Sequence, residues 1–282
     1  MMNKKDIKYI VLDLDGTLLN DDLVITEKTK KALKKVQDDG IDLVIASGRS
    51  VEGIIEYAKE LGVDKHHGLI IASNGARLYD VKEDKNIFEE KLSVEDTKKV
   101  LRHLEQFELY PFILKGDDMY VDSLDKVNID TNTHLGKINI FEWEASLGDS
   151  NLIEVDNLSD FIDFPVYKIN SSGDPKYIDK HLDEFTKGIE DIVYSARTLE
   201  FSVEILKCGV SKGHALEKIN AKPGEIIAFG DSMNDLEMIK YAKYGIAMKN
   251  AMDEVKENSF EITESNNDDG IYHFLNKHGF LD

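Results

Sequence analysis

Two aspartates separated by one residue, Asp13 and Asp15, follow an apolar stretch at 7–12 and precede Gly16. Side chains alternate along a β-strand, so both carboxylates leave the same face if the strand continues that far. Gly16 allows the backbone to turn sharply directly afterwards. Like charges this close repel each other and resist burial, which favours a functional role over a structural one. A cation together with a reacting phosphate would balance them; the alternative is an acidic turn after a strand.

Three further segments carry residue types suited to binding an anion or a cation. A hydroxyl follows a predicted strand at Ser47, Lys212 begins a predicted helix, and an acidic loop follows a strand at 229–235. Taken alone, each has a structural explanation. Ser47 could cap a helix, Lys212 could be solvated, and Asp231 and Asp235 could cap a helix together. Their occurrence together in this order favours one shared site.

The four segments resemble the motifs of the haloacid dehalogenase superfamily, in the family's order. The long gap between Ser47 and Lys212 resembles the Cof-type branch, which inserts a large α/β cap there. Lys249 departs from the pattern, since the family usually has glycine at that point; the change concerns a local turn and no catalytic role. The segments that carry the resemblance are 13–17, 46–49, 210–213, 229–235, 245–251 and 268–271.

The resemblance implies a chemical role for each acidic motif residue. Asp13 would be the nucleophile that forms an aspartyl-phosphate, and Asp15 would act as general acid and then base. Mg²⁺ is the implied cofactor, bound by the Asp13 and Asp231 carboxylates and the Asp15 main-chain carbonyl. Asp235 would act in the outer coordination sphere, orienting ligand waters or Lys212. Lys212 would supply positive charge to the phosphate and stabilise the Asp13 carboxylate.

A second group of residues would bind the phosphate and the rest of the substrate. Ser47 and the main-chain N–H of Gly48 would contact phosphate oxygens near a helix N-terminus. The Leu14 main-chain N–H and the Asn234 side chain would complete the cradle. Arg49 is the core candidate for substrate recognition, and a salt bridge on the rim is its alternative. The segment 74–76, Asn-Gly-Ala, also resembles a Cof-type segment, and a tight turn explains it equally well.

These residues need a scaffold, and the hydrophobic pattern at both ends of the chain predicts one. Short apolar runs alternate with helical patterns, which predicts an α/β fold with a Rossmann-like, doubly wound parallel-sheet core. Ligands bind beyond the carboxyl ends of such strands. Thr26 and Ser50 are the predicted N-caps of two helices, closed by Gly40 and Gly62. The predicted strands of the first part are 7–12, 41–46 and 69–72.

The alternation of predicted strands and helices stops after a predicted hairpin, 77–79 with 87–91, and resumes from Ser211. A mixture of short strands and helices lies between, typical of an α+β domain. We therefore predict a discontinuous hydrolase core, 1–85 and 200–282, that holds an inserted α+β cap domain, 86–199. This cap would act as a moving lid that excludes water and carries substrate selectivity.

The composition limits the classes of partner. The 282 residues include 35 Lys and Arg against 55 Asp and Glu, a net charge of −20, which disfavours nucleic acid and anionic membranes. An anionic substrate then needs a local cation, which favours a metal together with a lysine. The single cysteine, Cys208, excludes a disulfide framework and is expected to be partly buried near a strand end. No segment predicts a membrane span or signal peptide, so a cytoplasmic protein is expected.

Together these observations predict an Mg²⁺-dependent phosphatase that hydrolyses small phosphorylated metabolites, such as sugar phosphates. Two alternatives stay open. A phosphomutase would use the same nucleophile and return the phosphoryl group to a second hydroxyl. A phospho-ligand sensor would bind without turnover, although Asp13, Asp15 and Lys212 are all present. Neither the identity of the substrate nor an oligomeric state is predicted by the sequence.

Overall fold

The computed structural model describes residues 2–124, 127–131, 135–148 and 150–282. The chain divides into two compact units. Met1–Glu89 and Val210–Asp282 form the core unit, and Glu90–Gly209 forms the insert unit.

The N-terminal part of the core unit alternates strands and helices and ends in an antiparallel hairpin. The first helix begins where its N-cap Thr26 accepts a hydrogen bond from the Thr29 N–H, and it buries Leu33 and Val36. Gly62, with φ of 77°, ends the second helix in the left-handed conformation that glycine adopts without strain. The elements are β1 (Tyr9–Asp13), α1 (Glu27–Asp38), β2 (Asp42–Ala46), α2 (Ile55–Leu61), β3 (Leu69–Ala72), β4 (Arg77–Asp80) and β5 (Lys85–Glu89).

Two details of this part differ from the sequence prediction. Strand β1 ends at Asp13, so Asp15 lies in the turn beyond the strand. Helix α2 begins at Ile55 without a side-chain cap, while the Ser50 hydroxyl accepts a hydrogen bond from the Gly53 N–H at 3.3 Å in a turn. Ser47 therefore lies in a loop, not beside the helix N-terminus that the sequence predicts.

The insert unit has its own sheet, in which parallel and antiparallel strand pairs are mixed. Ser93 caps its first helix by accepting a hydrogen bond from the Asp96 N–H. Its elements are α3 (Val94–Leu104), β6 (Tyr110–Lys115), β7 (Asp118–Val121), β8 (Asn128–Asp130), β9 (Lys137–Asn139), α4 (Ile140–Gly148), β10 (Asn151–Glu154), α5 (Leu158–Phe161), β11 (Lys168–Ser172), α6 (Pro175–His181), β12 (Val193–Leu199) and β13 (Ser202–Lys207).

In the C-terminal part of the core unit, helices and strands alternate again. Its elements are α7 (Lys212–Leu216), β14 (Ile226–Gly230), α8 (Leu236–Tyr241), β15 (Tyr244–Ala247), α9 (Asp253–Glu257), β16 (Glu261–Ile262) and α10 (Gly270–Lys277).

The core sheet runs β16-β15-β14-β1-β2-β3-β4-β5 among the described residues. Neighbouring strands from β16 to β3 are parallel, and β4 and β5 add antiparallel edge strands. Strand β1 lies between β14 and β2, where the two halves of the chain meet. The strand order changes direction there, and such a point opens a crevice for ligands. The doubly wound α/β core predicted from the sequence is confirmed.

Each unit has its own hydrophobic core. One continuous cluster of buried side chains fills the core unit, from Ile7 to Phe280. Two clusters fill the insert unit, one from Leu92 to Ile205 and one from Phe112 to Phe201. In the described part of the chain, every helix is too short or too polar to cross a membrane.

The junctions between the units lie near the predicted ones but not at them. Strand β5 pairs with β4 and so belongs to the core sheet, which moves the first junction from 86 to Glu90. Strand β13 pairs with β11 and β12, which moves the second junction from 199 to Gly209. Cys208 follows β13 in the connection to the core unit and is exposed, not partly buried as predicted.

Candidate active site

Three adjacent parallel strands deliver polar side chains to the same edge of the core sheet. Asp13 is the last residue of β1, Ser47 follows the last residue of β2, and Asp231 follows the last residue of β14. The register pairs Asp13 with Ala46, and Leu12 with Phe229. The carboxyl ends of these strands therefore bring together residues that are far apart in the sequence.

Lys212 links this edge to the helix that follows the insert. Its Nζ lies 2.6 Å from Asp13 Oδ1 and 2.7 Å from Asp235 Oδ1. The side chains of Lys212 and Asp235 are fully buried, so the ion pairs are shielded from water. Burial alone would lower the pKa of Lys212, but the two carboxylates outweigh it and raise the pKa above its ordinary value. The ammonium charge is thus held beside Asp13.

Asp235 has both carboxylate oxygens occupied by protein donors. Oδ1 accepts from Lys212, and Oδ2 accepts from the main-chain N–H groups of Asp231 at 2.9 Å and Ser232 at 3.0 Å. This arrangement orients Lys212 and fixes the start of the loop after β14. The outer-sphere role expected for Asp235 stays a prediction.

Asp231 is held by two hydroxyl groups. Thr17 Oγ1 donates to its Oδ1 at 2.8 Å, and Ser232 Oγ donates to its Oδ2 at 2.9 Å. Gly16 lies directly against the carboxylate, because a Cβ at that position would be 2.7 Å from Asp231 Oδ2. Sequence reasoning gave no role to Thr17; the signal for it was its place at the end of the Asp-x-Asp-Gly-Thr segment. Asn250 supports the same turn by donating its Nδ2 hydrogen to the Gly16 carbonyl at 2.8 Å.

The carboxylates form a cluster that could hold a metal ion. One oxygen each from Asp13, Asp231 and Asp235 lies within 4.8 Å of the others. Burial, and then repulsion from Asp235, raises the pKa of Asp13 well above its ordinary value. When all three carboxylates are ionised, they exceed the single ammonium by two negative charges, which a divalent cation would balance. Hard oxygen donors are the ligands that Mg²⁺ prefers, so the donor set fits that ion.

Asp15 is paired with Arg49 on the more exposed side of the site. Arg49 donates from Nε to Asp15 Oδ2 at 2.9 Å and from Nη2 to Asp15 Oδ1 at 2.5 Å. The guanidinium carbon also lies 5.9 Å from the centre of the Tyr57 ring. Arg49 therefore makes the salt bridge that was its alternative role, and its partner is the predicted acid and base.

The predicted phosphate-binding residues lie around the same edge. Ser47 is buried, and its Oγ accepts a hydrogen bond from the Arg49 N–H at 3.1 Å. Leu14 is fully buried beside Asp13. Asn234 is half-buried and donates from Nδ2 to Asn74 Oδ1 at 3.0 Å. The phosphate contacts assigned to Ser47, Leu14, Asn234 and the Gly48 N–H stay predictions.

Lys249, the departure from the family pattern, directly precedes Asn250 but turns its side chain to the surface. Its Nζ pairs with Glu264 at 3.0 Å on the surface. Lys249 is not among the described residues that have a positive φ, so its backbone does not require glycine.

The fold and this site define a hydrolase of the haloacid dehalogenase type. The family profile of haloacid dehalogenase-like hydrolases matches residues 10–275, and the chain belongs to that family. The recognition made from the four motifs is thereby confirmed.

Individual relatives cover nearly the whole chain. The 5-amino-6-(5-phospho-D-ribitylamino)uracil phosphatase YcsE of Bacillus subtilis is 32% identical over 271 residues, covering 94% of this chain and 93% of its own. The phosphatase YitU of the same organism and the same named activity is 28% identical, covering 95% and 96%. The crystal structure of a haloacid dehalogenase-like hydrolase from Bacteroides thetaiotaomicron superposes with a TM-score of 0.82 at 28% identity, covering 96% of this chain and 99% of the other.

Proposed function

We propose that the protein is an Mg²⁺-dependent phosphatase that hydrolyses small phosphomonoesters through an aspartyl-phosphate on Asp13. The observation that carries this proposal is the buried arrangement of Lys212 between Asp13 and Asp235, beside Asp231. A purely structural ion pair does not require a third carboxylate at this edge. A nucleophile that must approach an anionic phosphate requires both the lysine and a cation.

The chain's residues would act in two steps. Asp13 attacks phosphorus as the ester P–O bond breaks, and Asp15 donates a proton to the leaving oxygen. Asp15 then removes a proton from water, which attacks the aspartyl-phosphate; inorganic phosphate leaves and the Asp13 carboxylate is restored. Lys212 holds its charge beside the reacting oxygens throughout, and Asp235 keeps Lys212 in place. When bound, Mg²⁺ supplies charge neutralisation for the phosphate and the Asp13 carboxylate.

We propose a small phosphorylated metabolite as the substrate. Three B. subtilis relatives are named for one sugar-alcohol phosphate ester, that of 5-amino-6-(5-phospho-D-ribitylamino)uracil. That compound and a panel of sugar phosphates, polyol phosphates and nucleotides are therefore the substrates to test. The net charge of −20 supports a protein that binds neither nucleic acid nor an anionic membrane. We also propose a cytoplasmic location.

The first prediction is that Asp13→Asn folds normally and loses phosphatase activity. An amide cannot attack phosphorus, so kcat should fall by about 10³-fold or more. Phosphate release over the substrate panel measures this. The matched control is Asp38→Asn, which makes the same change at an exposed position on α1 and should keep full activity.

The same assay separates the alternatives. Activity should disappear in excess chelator and return with added Mg²⁺. Turnover that continues in chelator, or a verified Asp13→Asn protein that keeps more than a few per cent of wild-type kcat, contradicts the proposal. Isomerised ester without phosphate release identifies a phosphomutase. Phosphate binding without turnover identifies a sensor.

A further inference from the structure

The segment 73–75, directly after β3, has a backbone that most residues avoid. Ser73 and Asn74 have φ of 50° and 54°, Gly75 has φ of 101°, and all three residues are buried. A left-handed conformation in a residue other than glycine costs on the order of 1–3 kcal/mol. Asparagine tolerates it better than most residues. Such strain persists only where the surrounding structure fixes it, so the contacts of this turn indicate what it positions.

The main chain of the turn binds the loop after β2. The Ser73 N–H donates to the Arg49 carbonyl at 2.8 Å, and the Asn74 N–H donates to the Ser47 carbonyl at 3.1 Å. The Asn74 side chain also packs on Gly48, where an added Cβ would lie 3.2 Å from Asn74 Nδ2. The turn thus fixes the loop that carries the predicted phosphate ligands Ser47 and Gly48.

The same turn contacts the two remaining parts of the site. Asn74 Oδ1 accepts a hydrogen bond from Asn234 Nδ2 at 3.0 Å. Gly75 lies against the start of α7, where an added Cβ would be 2.0 Å from the Ser211 carbonyl oxygen and 2.9 Å from the Lys212 nitrogen. The turn is therefore in contact with residues from the second, third and fourth motifs at once.

We propose that Asn74 is a positioning residue for phosphate recognition. Asn74 Oδ1 accepts a hydrogen bond from Asn234 Nδ2. Because the oxygen of an amide only accepts and the nitrogen only donates, this bond fixes which way the Asn234 amide faces. The main chain of Asn74 holds the Ser47 loop at the same time. The identity of the ligand as phosphate rests on the proposed function.

Asn74→Gly is the deciding variant, because glycine adopts a φ of 54° without strain while removing the amide. We expect the folding midpoint to be equal to or above that of the wild type. The affinity of the Mg²⁺-loaded protein for inorganic phosphate should fall about 10-fold, and kcat/KM should fall 10- to 100-fold, as expected for reacting groups displaced by about 1 Å. The matched control is Asp84→Gly, at another left-handed position (φ of 51°) in the β4–β5 turn. It should change neither the phosphate affinity nor kcat/KM.

A double-mutant cycle with Asn234→Ala tests whether Asn74 acts through Asn234. The double variant should lose at most about threefold more kcat/KM than Asn234→Ala alone, because the two changes remove one shared contact. If the loss of kcat/KM in the double variant equals the product of the losses in the two single variants, the proposal is wrong. It is also wrong if Asn74→Gly stays within twofold of wild type in both phosphate affinity and kcat/KM.

The outcomes also separate this inference from the proposed function. Turnover that survives Asp13→Asn overturns the function alone, and the phosphate affinity of Asn74→Gly then decides the role of Asn74. Wild-type protein that binds no phosphate in the presence of Mg²⁺ overturns both.

Discussion

Arg49 and Asp15 form a bidentate pair in which both oxygens of the carboxylate accept from one guanidinium. A planar guanidinium fixes the plane of its partner carboxylate as well as its distance. Asp15 lies in a turn beyond β1, where its main chain bridges to Leu19 and nearly half of its side chain is exposed. Arg49 therefore sets the orientation of the residue that we propose as general acid and base.

We predict that Arg49→Ala slows hydrolysis of alkyl phosphates about 10- to 100-fold but slows p-nitrophenyl phosphate by less than about threefold. An alkoxide needs a well-placed proton donor, whereas p-nitrophenolate leaves without one. The ratio of kcat/KM for the two esters is the measurement. Arg102→Ala, which removes an exposed arginine of the insert unit, should leave the ratio unchanged. An equal loss on both esters would mean that Arg49 binds the substrate and does not position Asp15.

At this scale the sequence identified the residue types but not their pairings. Asp13, Asp231 and Lys212 could be grouped because each follows a recognisable strand or begins a helix. The Arg49–Asp15 pair spans 34 residues and depends on two side-chain conformations, which no periodicity encodes. The sequence predicts either a family segment or a tight turn at Asn74, and no local pattern links it to its partner Asn234, 160 residues away.

Helix α4 of the insert unit places Glu144 close to a buried ion pair between Lys168 on β11 and Glu204 on β13. Burial, opposed by the charge of Lys168 and reinforced by that of Glu204, raises the pKa of Glu144 to about 7. The folded protein therefore binds this proton more tightly than the unfolded chain does. The free energy of unfolding should fall as pH rises from about 4.5 to 7, and the loss is complete above pH 7.

We predict that Glu144→Gln stabilises the insert unit by on the order of 1–3 kcal/mol at pH 8 and has little effect at pH 4.5. Urea unfolding followed by fluorescence reports it directly, because Trp143, the only tryptophan of the chain, is the neighbouring residue. Glu142→Gln, an exposed change on the same helix, is the control. If Glu144→Gln raised the free energy of unfolding equally at both pH values, the buried charge of Glu144 could not be the cause of the stabilisation.

The sequence predicts the strands and helices that have a clear hydrophobic pattern. It does not predict the bounds that depend on tertiary contacts. Strand β3 has the predicted bounds, because it is a short apolar run between turn residues. Helix α2 begins later than the sequence predicts, because Ser50 is a residue type that often caps helices but its hydroxyl accepts a hydrogen bond within a turn. Strand β16 has two residues, too few to show a period, and forms only because β15 offers an edge.

At the scale of the whole molecule, the separate hydrophobic clusters indicate that the core unit does not depend on the insert for its packing. We predict that a protein in which residues 90–209 are replaced by a Gly/Ser linker folds and binds Mg²⁺. It should lose discrimination among large phosphate esters and keep slow hydrolysis of a small activated one, because the insert is proposed to carry selectivity.

The measurements are calorimetric Mg²⁺ binding and kcat/KM across the substrate panel. The full-length protein with the linker inserted after Gly116, in the exposed β6–β7 turn, controls for the added sequence. A folded core that keeps the full-length ranking of substrates would place selectivity in core residues such as Arg49.

The position of β1 in the middle of the core sheet has a consequence for biosynthesis. Tyr9 pairs with Ile226, and Asp13 meets Lys212 across 199 residues of chain. The ribosome makes every residue of the insert unit before β14 exists, so the insert can fold while β1 still lacks one neighbour. At ribosomal rates this interval lasts on the order of 10 s. During that time β1 lacks its β14 neighbour, and we expect the unfinished core unit to be the part of the nascent chain that binds chaperones most.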